Sequence, residues 1–383
     1  MKKNYLNYAL MALALPLAIA CDEENKVVPF NPDTTAPNGI LVLNSGNQGK
    51  AIDGSLHFIK DNTVTNDVFK GVNQTSLGGT PNDMIVYGSK IYIVSTLENT
   101  VFVLDKNTRK LLQRVSTTDL MGKSEGQSPR QLAAGDGQVF VSAYSTGGST
   151  PYSADLRGHV AAFDTINFVK TNSVEVGSYP EGLDYYKGKL YVANSGYSKG
   201  NSNVMIVNWM TGEKETFTNE NLENTQQVVV VEDGYYVLDW GHYNKTNWAQ
   251  EGTGLFFVSA KDNQVSKVAE ATKIDVQTYD LAGKRQANMT LLSAPYLGKV
   301  SYGFYQTATK ELRELNGIQV DAPSAIAMDK ATGNIYVASL PMGEYGYADY
   351  SGISYVVVYD KDGKQVNRFN VGNGQIVKFA RVY

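Results

Sequence analysis

One pattern recurs through most of this 383-residue chain and limits what it can fold into. A first copy reads "TPNDMIVYGSKIYIVSTLENTVFVLDKNTRKLLQRV" from Thr80 to Val115, and a second "YPEGLDYYKGKLYVANSGYSKGNSNVMIVNWMTGEKETF" from Tyr179 to Phe217. A third opens "APSAIAMDKATGNIYVASL" at Ala322 and runs to Phe369. Each has a proline-led apolar stretch, a glycine turn and a stretch centred on Tyr-Val. A variable loop, a β-branched stretch ending in Asp or Asn, a second turn and a short last stretch follow. Apolar alternation between such turns signals antiparallel strands. Weaker copies open at Ser128 and Asn224, and the segment from Met289 carries the later strands of another. Equivalent central positions fall at Val42, Tyr92, Phe140, Tyr191, Tyr236, Leu291 and Tyr336. Their spacing of roughly 45–55 residues is the period of four-stranded propeller blades. Seven copies therefore predict an all-β, seven-bladed β-propeller over residues 39–383. The sixth copy fits worst, because "EATKIDVQTYDLAGKRQ" departs from the template.

The ends of the repeat indicate how the ring closes. The first copy starts at "GILVLNSGN" with its second strand, and the chain finishes with an unpaired β-rich segment, "GNGQIVKFARVY". The C-terminal segment is expected to supply the missing inner strand of the first blade, which hides edges that would otherwise template aggregation.

The first 38 residues do not belong to the repeat. Lys2 and Lys3 precede the apolar run "YALMALALPLAIA", which is too short for a membrane span and reads as a secretory signal over 1–20. It ends in Ala-Ile-Ala before Cys21, the only cysteine. An exported chain with a single cysteine forms no internal disulfide, so that thiol has another use. The segment resembles bacterial lipoproteins, which implies lipidation of Cys21 and a membrane anchor. Asp22, Glu23 and Glu24 follow and resemble the export tag of Bacteroidetes surface lipoproteins, implying the outward face of the outer membrane. The rest of 21–38, rich in proline and polar residues, reads as a tether. Extended, it holds the body some 50–60 Å from the lipid at about 3.5 Å per residue.

The formal net charge is −4, with no run of lysine or arginine, which excludes the basic footprint of a nucleic-acid binder. In a propeller, the loops between second and third strands share a face with the starts of the inner strands. The opposite face receives tight turns, here at Gly88-Ser89, Asp136-Gly137, Lys187-Gly188 and Asp233-Gly234. The first face carries long, varied loops, among them "DWGHYNKTNWAQEGTG", with two of the three tryptophans, and "SLPMGEYGYADYSG". Long loops on a rigid scaffold concentrate binding function. Strand ends there offer Asn44, Tyr144, Asn194, Asp239, Trp240 and Tyr296. Inner-strand starts offer Asn82, Arg130, Gln131, Glu181, Gln226, Gln227 and Ser324, and the loops add Tyr197, His242, Tyr243, Trp248, Tyr345 and Tyr347. Amides, hydroxyls and aromatic rings together suit amphipathic ligand recognition.

Catalytic signals are weak. No Gly-x-Ser-x-Gly, His-Glu-x-x-His or phosphate-loop motif occurs. His57 and His159 fall in third strands, away from the channel. Glu181, Asp83 and Asp239 could approach a metal site of the lactonase or lyase type, since carboxylates suit Ca²⁺ or Mg²⁺. The favoured reading has no catalytic residue, no metal and no cofactor.

The Cys21 segment, the opening "GILVLNSGN…GSLHFI" and the ending "YDKDGKQVNRFNVG" together resemble Bacteroidetes surface propellers related to the YncE and NHL-repeat proteins. The best-understood of these, the BtuG-type lipoproteins, capture vitamin B12 and pass it to a TonB-dependent outer-membrane transporter. The resemblance implies the same role here, with cobalamin as transported ligand rather than cofactor. It supplies no ligand contact residue by residue. A glycan-binding surface lipoprotein and a propeller enzyme are the alternatives.

Overall fold

The computed structural model describes residues 39–145, 156–196 and 200–383. The signal, Cys21, the tether and Tyr197 lie outside the described residues. Seven four-stranded antiparallel sheets make up a propeller ring. The inner strands of blades 2 to 7 are Pro81–Tyr87, Pro129–Gly135, Pro180–Tyr186, Thr225–Val231, Lys273–Leu281 and Ala322–Met328. Blade 1 takes its inner strand from the C-terminus, Ile376–Val382, which pairs antiparallel with Gly39–Asn44 from Gly39 opposite Val382 to Asn44 opposite Ile376. The expected clasp is therefore present. It is locked by the buried Asn44 amide, which donates to the carbonyls of Val371 and Gly374 at 3.2 and 3.1 Å.

Sequence pattern and packing correspond directly. A blade is covered on both faces, so its second strand reads as an unbroken apolar run rather than a half-polar one. In "GILVLN", Ile40 and Val42 pack toward blade 7 while Leu41 and Leu43 pack toward blade 2. That split follows from side chains alternating across a strand. Seven buried clusters result among the described residues, one between each pair of neighbouring blades. All seven central positions lie in second strands as the repeat predicts.

The sixth blade explains its own poor fit. Its inner hairpin is overlong, with strands Lys273–Leu281 and Lys284–Ser293 running to a turn at Ala282-Gly283. Polar residues at Asp275, Gln277 and Tyr279 line the channel there. The tight turns lie as expected on the face opposite the long loops. Asp136-Gly137 and Lys187-Gly188 have positive φ at both central residues, the twist that matches a two-residue hairpin.

Candidate ligand-binding face

The end of the channel beneath the long loops is shaped by one repeated backbone device. The pairing of inner with second strands slips between Pro81 and Asp83, Pro129 and Leu132, and Pro180 and Leu183. It slips again between Thr225 and Gln227 and between Pro323 and Ala325. Such bulges leave residues unpaired and re-aim their side chains. The bulged positions hold Asn82, Arg130, Gln131, Glu181, Gly182, Gln226 and Ser324. The residues two places before three of them, Thr80, Ser128 and Tyr179, have φ of 58°, 52° and 53°. That backbone turns their carbonyls to accept the N–H groups of Thr96, Tyr144 and Ser195 at 3.0, 3.2 and 3.0 Å. Asn224 does the same for Trp240 at 3.0 Å, so Tyr144 and Trp240 stand at equivalent corners of blades 3 and 5.

Charged groups at this level are arranged in pairs. Arg130 Nε lies 3.1 Å from Glu181, its guanidinium 5.0 Å from the Tyr144 ring, and the Tyr144 hydroxyl donates to the same carboxylate. Asp83 pairs with Lys378 of the closing strand at 3.1 Å and accepts from the Leu132 N–H at 3.0 Å. Lys273 starts the inner strand of blade 6, where the pairing runs without a slip. Its amine sits 4.7 Å from the Trp240 ring. Burial pulls the Lys273 pKa down to about 8, against the upward pull of Glu181. Trp240 itself is half-buried and donates its indole N–H to the Thr272 carbonyl at 2.7 Å, so it bridges blades 5 and 6.

The other aromatic rings of the loops behave differently. Tyr243, Trp248, Tyr296, Tyr345 and Tyr347 are 54%, 67%, 49%, 84% and 70% exposed, too open to be plugging the interiors of their loops. The long loop that carries Trp240 and Trp248 contains a short ribbon, His242–Tyr243 paired with Gln250–Glu251. Asn244 closes it by accepting from the Thr246 N–H at 2.8 Å, and Trp248 is held at φ 63°. A bulky side chain at positive φ is strained, and such strain concentrates at functional sites. The ribbon leans on the blade 6 loop through Gln250 N–H to the Tyr296 carbonyl at 3.0 Å, and Tyr243 meets Tyr296 nearly edge-on at 6.4 Å.

Several sequence candidates serve the framework instead. Asn194 and Asp239 are fully buried at strand ends, and Gln226 and Ser324 nearly so. Asp239 accepts from the backbone N–H groups of Gly241 at 2.7 Å and Asn224 at 3.0 Å, and burial raises its pKa to about 6. Asn82 donates to the Arg130 carbonyl at 2.7 Å, stapling blade 2 to blade 3. His242 contacts the Glu223 carboxylate and lines a separate cavity of about 360 Å³ on the flank of the ribbon. Glu181, Asp83 and Asp239 stay apart, each engaged by the partners given above, and no group of metal-ligating side chains forms among the described residues. Lys273 and Lys378 were not among the sequence candidates. Lys273 lacks a leading proline to align it, and Lys378 reaches the channel only through ring closure.

Toward the tight-turn face lies a cavity of about 750 Å³ lined by Tyr87, Asp184, Asp275, Tyr279, Lys330 and Arg381 among others. Its charges are largely satisfied internally. Asp184 meets Arg285 at 2.9 Å and accepts from the Val230 N–H, and Arg381 grips both Asp275 and the Met328 carbonyl.

No family model and no curated protein matches the chain. Solved structures of propeller proteins do. A hypothetical selenium-binding protein of Sulfolobus tokodaii is 8% identical, with a TM-score of 0.60 over 90% of this chain and 93% of that one. A quinonprotein alcohol dehydrogenase-like protein of Bacteroides thetaiotaomicron is 14% identical, with a TM-score of 0.55 over 91% and 79%. Hydrazine synthase of Kuenenia stuttgartiensis is 16% identical, with a TM-score of 0.52 over 77% and 87%. At such identities the likeness establishes the propeller fold and nothing about chemistry.

Proposed function

We propose that this protein is a non-catalytic surface lipoprotein of the YncE/NHL-like kind that captures a corrinoid, with cobalamin as the best-suited ligand. It would then deliver the ligand to a TonB-dependent outer-membrane transporter. The observation that carries this reading is the concentration of five outward-facing rings above paired charges, all on one face. A corrinoid is broad and bristles with carboxamides, which need donors and acceptors in alternation, and its flat ring suits aromatic walls. The larger cavity at the other mouth supports a binding role less well, because its ion pairs satisfy one another without a ligand. A lipid anchor at Cys21 and the outer-membrane location rest on the N-terminal sequence. A glycan is the second reading, since aromatic faces and amides also hold sugars. Gel filtration of the purified body with cyanocobalamin tests the proposal. Co-elution of the visible absorbance with protein supports capture, whereas complete separation, together with retention on a glycan array, would transfer the function to sugars.

A further inference from the structure

The sixth blade departs from the repeat at the end of the channel opposite the long loops. Its inner strand, Lys273–Leu281, runs nine residues where the inner strands of the other blades run seven. The surplus lies at the turn end. The Glu232 N–H, in the tight turn of blade 5, donates to the Arg285 carbonyl at 3.1 Å, and Arg285 pairs with Asp280. Leu281 and Lys284 therefore stand beyond the level of the neighbouring turn. The third strand of blade 6 pairs back only as far as Asn288, so this tip is a two-stranded extension outside the four-stranded sheet. It leans inward rather than away. The Arg285 guanidinium reaches past blade 5 to blade 4, where it meets Asp184 at 2.9 Å and the Tyr185 carbonyl at 3.1 Å.

The tip walls the cavity of about 750 Å³ at this end, which it lines through Tyr279 and Arg285. That volume falls within the roughly 300–1,000 Å³ of small-molecule sites, which combine apolar walls with a few polar groups. Here Tyr87, Val86, Ala134 and Val276 supply apolar and aromatic wall. The cations of the lining can be assigned one by one. Arg285 is held by Asp184, Arg381 by Asp275 and Lys378 by Asp83, and Lys106 donates to the Tyr383 backbone oxygen at 3.0 Å. Lys330 remains. It lines the same cavity and forms no ion pair among the described residues. Its side chain is half-buried, with the amine 4.8 Å from the ring of Tyr279 on the tip. Desolvation and the Arg381 guanidinium pull its pKa down to about 8 against the pull of Asp275, so at neutral pH it is still a cation.

We propose that this cavity is a second ligand site, separate from the long-loop face, which takes a small amphipathic anion: an apolar or aromatic body with one carboxylate or sulfonate group set against Lys330. The ion pairs around it fix the walls, the blade 6 tip forms one side of the mouth, and the single unpaired cation calls for a single negative charge. Tyr279 holds the amine from the tip and offers its ring to the body of the ligand. The site stands whether or not the long-loop face captures a corrinoid.

The test uses the purified protein and two fluorescent probes of nearly one shape at pH 7, the anion 8-anilinonaphthalene-1-sulfonate and its neutral counterpart N-phenyl-1-naphthylamine. A charged hydrogen bond corresponds to about ten- to a hundredfold in affinity, and the partial exposure of Lys330 sets the expectation near the lower figure, about tenfold. Wild type is expected to bind the sulfonate saturably and in preference to the neutral probe. Lys330→Gln should lose that preference with the neutral probe bound as before, Lys330→Arg should keep most of it, and Tyr279→Ala should weaken both probes. Trp248→Ala, on the other face, should bind both as wild type does. Wild type without saturable sulfonate binding, or Lys330→Gln binding the sulfonate as wild type does, would overturn the site. Loss of binding in Trp248→Ala with Lys330→Gln unaffected would overturn it too, by moving the probe to the long loops. Melting temperatures of the same variants separate a lost site from a lost fold.

Discussion

Removing Gly374 to Tyr383 should abolish folding of the whole ring, and the size of the effect can be worked from the clasp. The segment carries Ile376, Phe379 and Val382, all buried, at about 1.5–3 kcal/mol each, or roughly 5–9 kcal/mol together. It also carries Lys378 and Arg381, whose removal strands Asp83 and Asp275 as buried charges. Breaking such a pair from one side costs about 3–5 kcal/mol. The combined loss reaches or exceeds the ~5–15 kcal/mol that holds a typical native state together. Urea unfolding followed by circular dichroism should show no cooperative transition for the truncated chain. A milder probe, Phe379→Ala, should lower stability by about 3–5 kcal/mol while the transition stays cooperative. Adding a synthetic peptide of residues 374–383 should restore the transition, because the lesion is one missing strand. A truncated protein that unfolds like wild type would refute the account of closure.

Tyr243→Ala and Trp248→Ala should each weaken cyanocobalamin binding by on the order of 2 kcal/mol, about thirtyfold, with the melting temperature almost unchanged. Titration and calorimetric melting of the same samples check both halves. Trp240→Ala should lower both affinity and melting temperature, since that ring bridges two blades through its bond to Thr272. Lys273, with its pKa lowered to about 8 by burial, predicts a pH signature. Between about pH 8 and the usual lysine range near 10.5 the unfolded chain binds the extra proton, so this group's contribution to stability rises with pH across that window. Wild type should gain stability relative to Lys273→Met as pH goes from 7.5 to 9.5 in urea titrations. Cys21→Ser should release the protein from the membrane fraction of cells without altering the melt of the body.

The sequence made the scaffold legible because a blade is buried on both faces. Continuous apolar second strands such as "KIYIVS" and "QVFVSA" therefore stand out, and the orphan segments at the two ends of the repeat can only complete each other. The sixth blade was obscured by its overlong, channel-lined hairpin, and the helices Val68–Asn73 and Thr117–Met121 are too short to carry a periodicity. The site was legible in part. A leading proline points to Asn82, Arg130 and Glu181, and the rings of the long loops declare themselves by their number. Direction was not legible. Asn194 and Asp239 look like surface amide and acid, but Asn194 is buried with its amide donating to the Asn203 side chain and Asp239 turns down to accept from backbone N–H groups, and no local pattern distinguishes those orientations. Lys273 stayed hidden because blade 6 lacks the proline, and its place over the Trp240 ring depends on two blades meeting at the channel.

The claim that ligand is held on the long-loop face is tested most directly by hydroxyl-radical footprinting with and without cyanocobalamin. Protection is predicted at Tyr243, Trp248, Tyr345 and Tyr347, with Tyr87, Tyr279 and Tyr383 at the opposite mouth unchanged. Protection of the second set with the first left reactive would contradict the account and move the site to the other end of the channel.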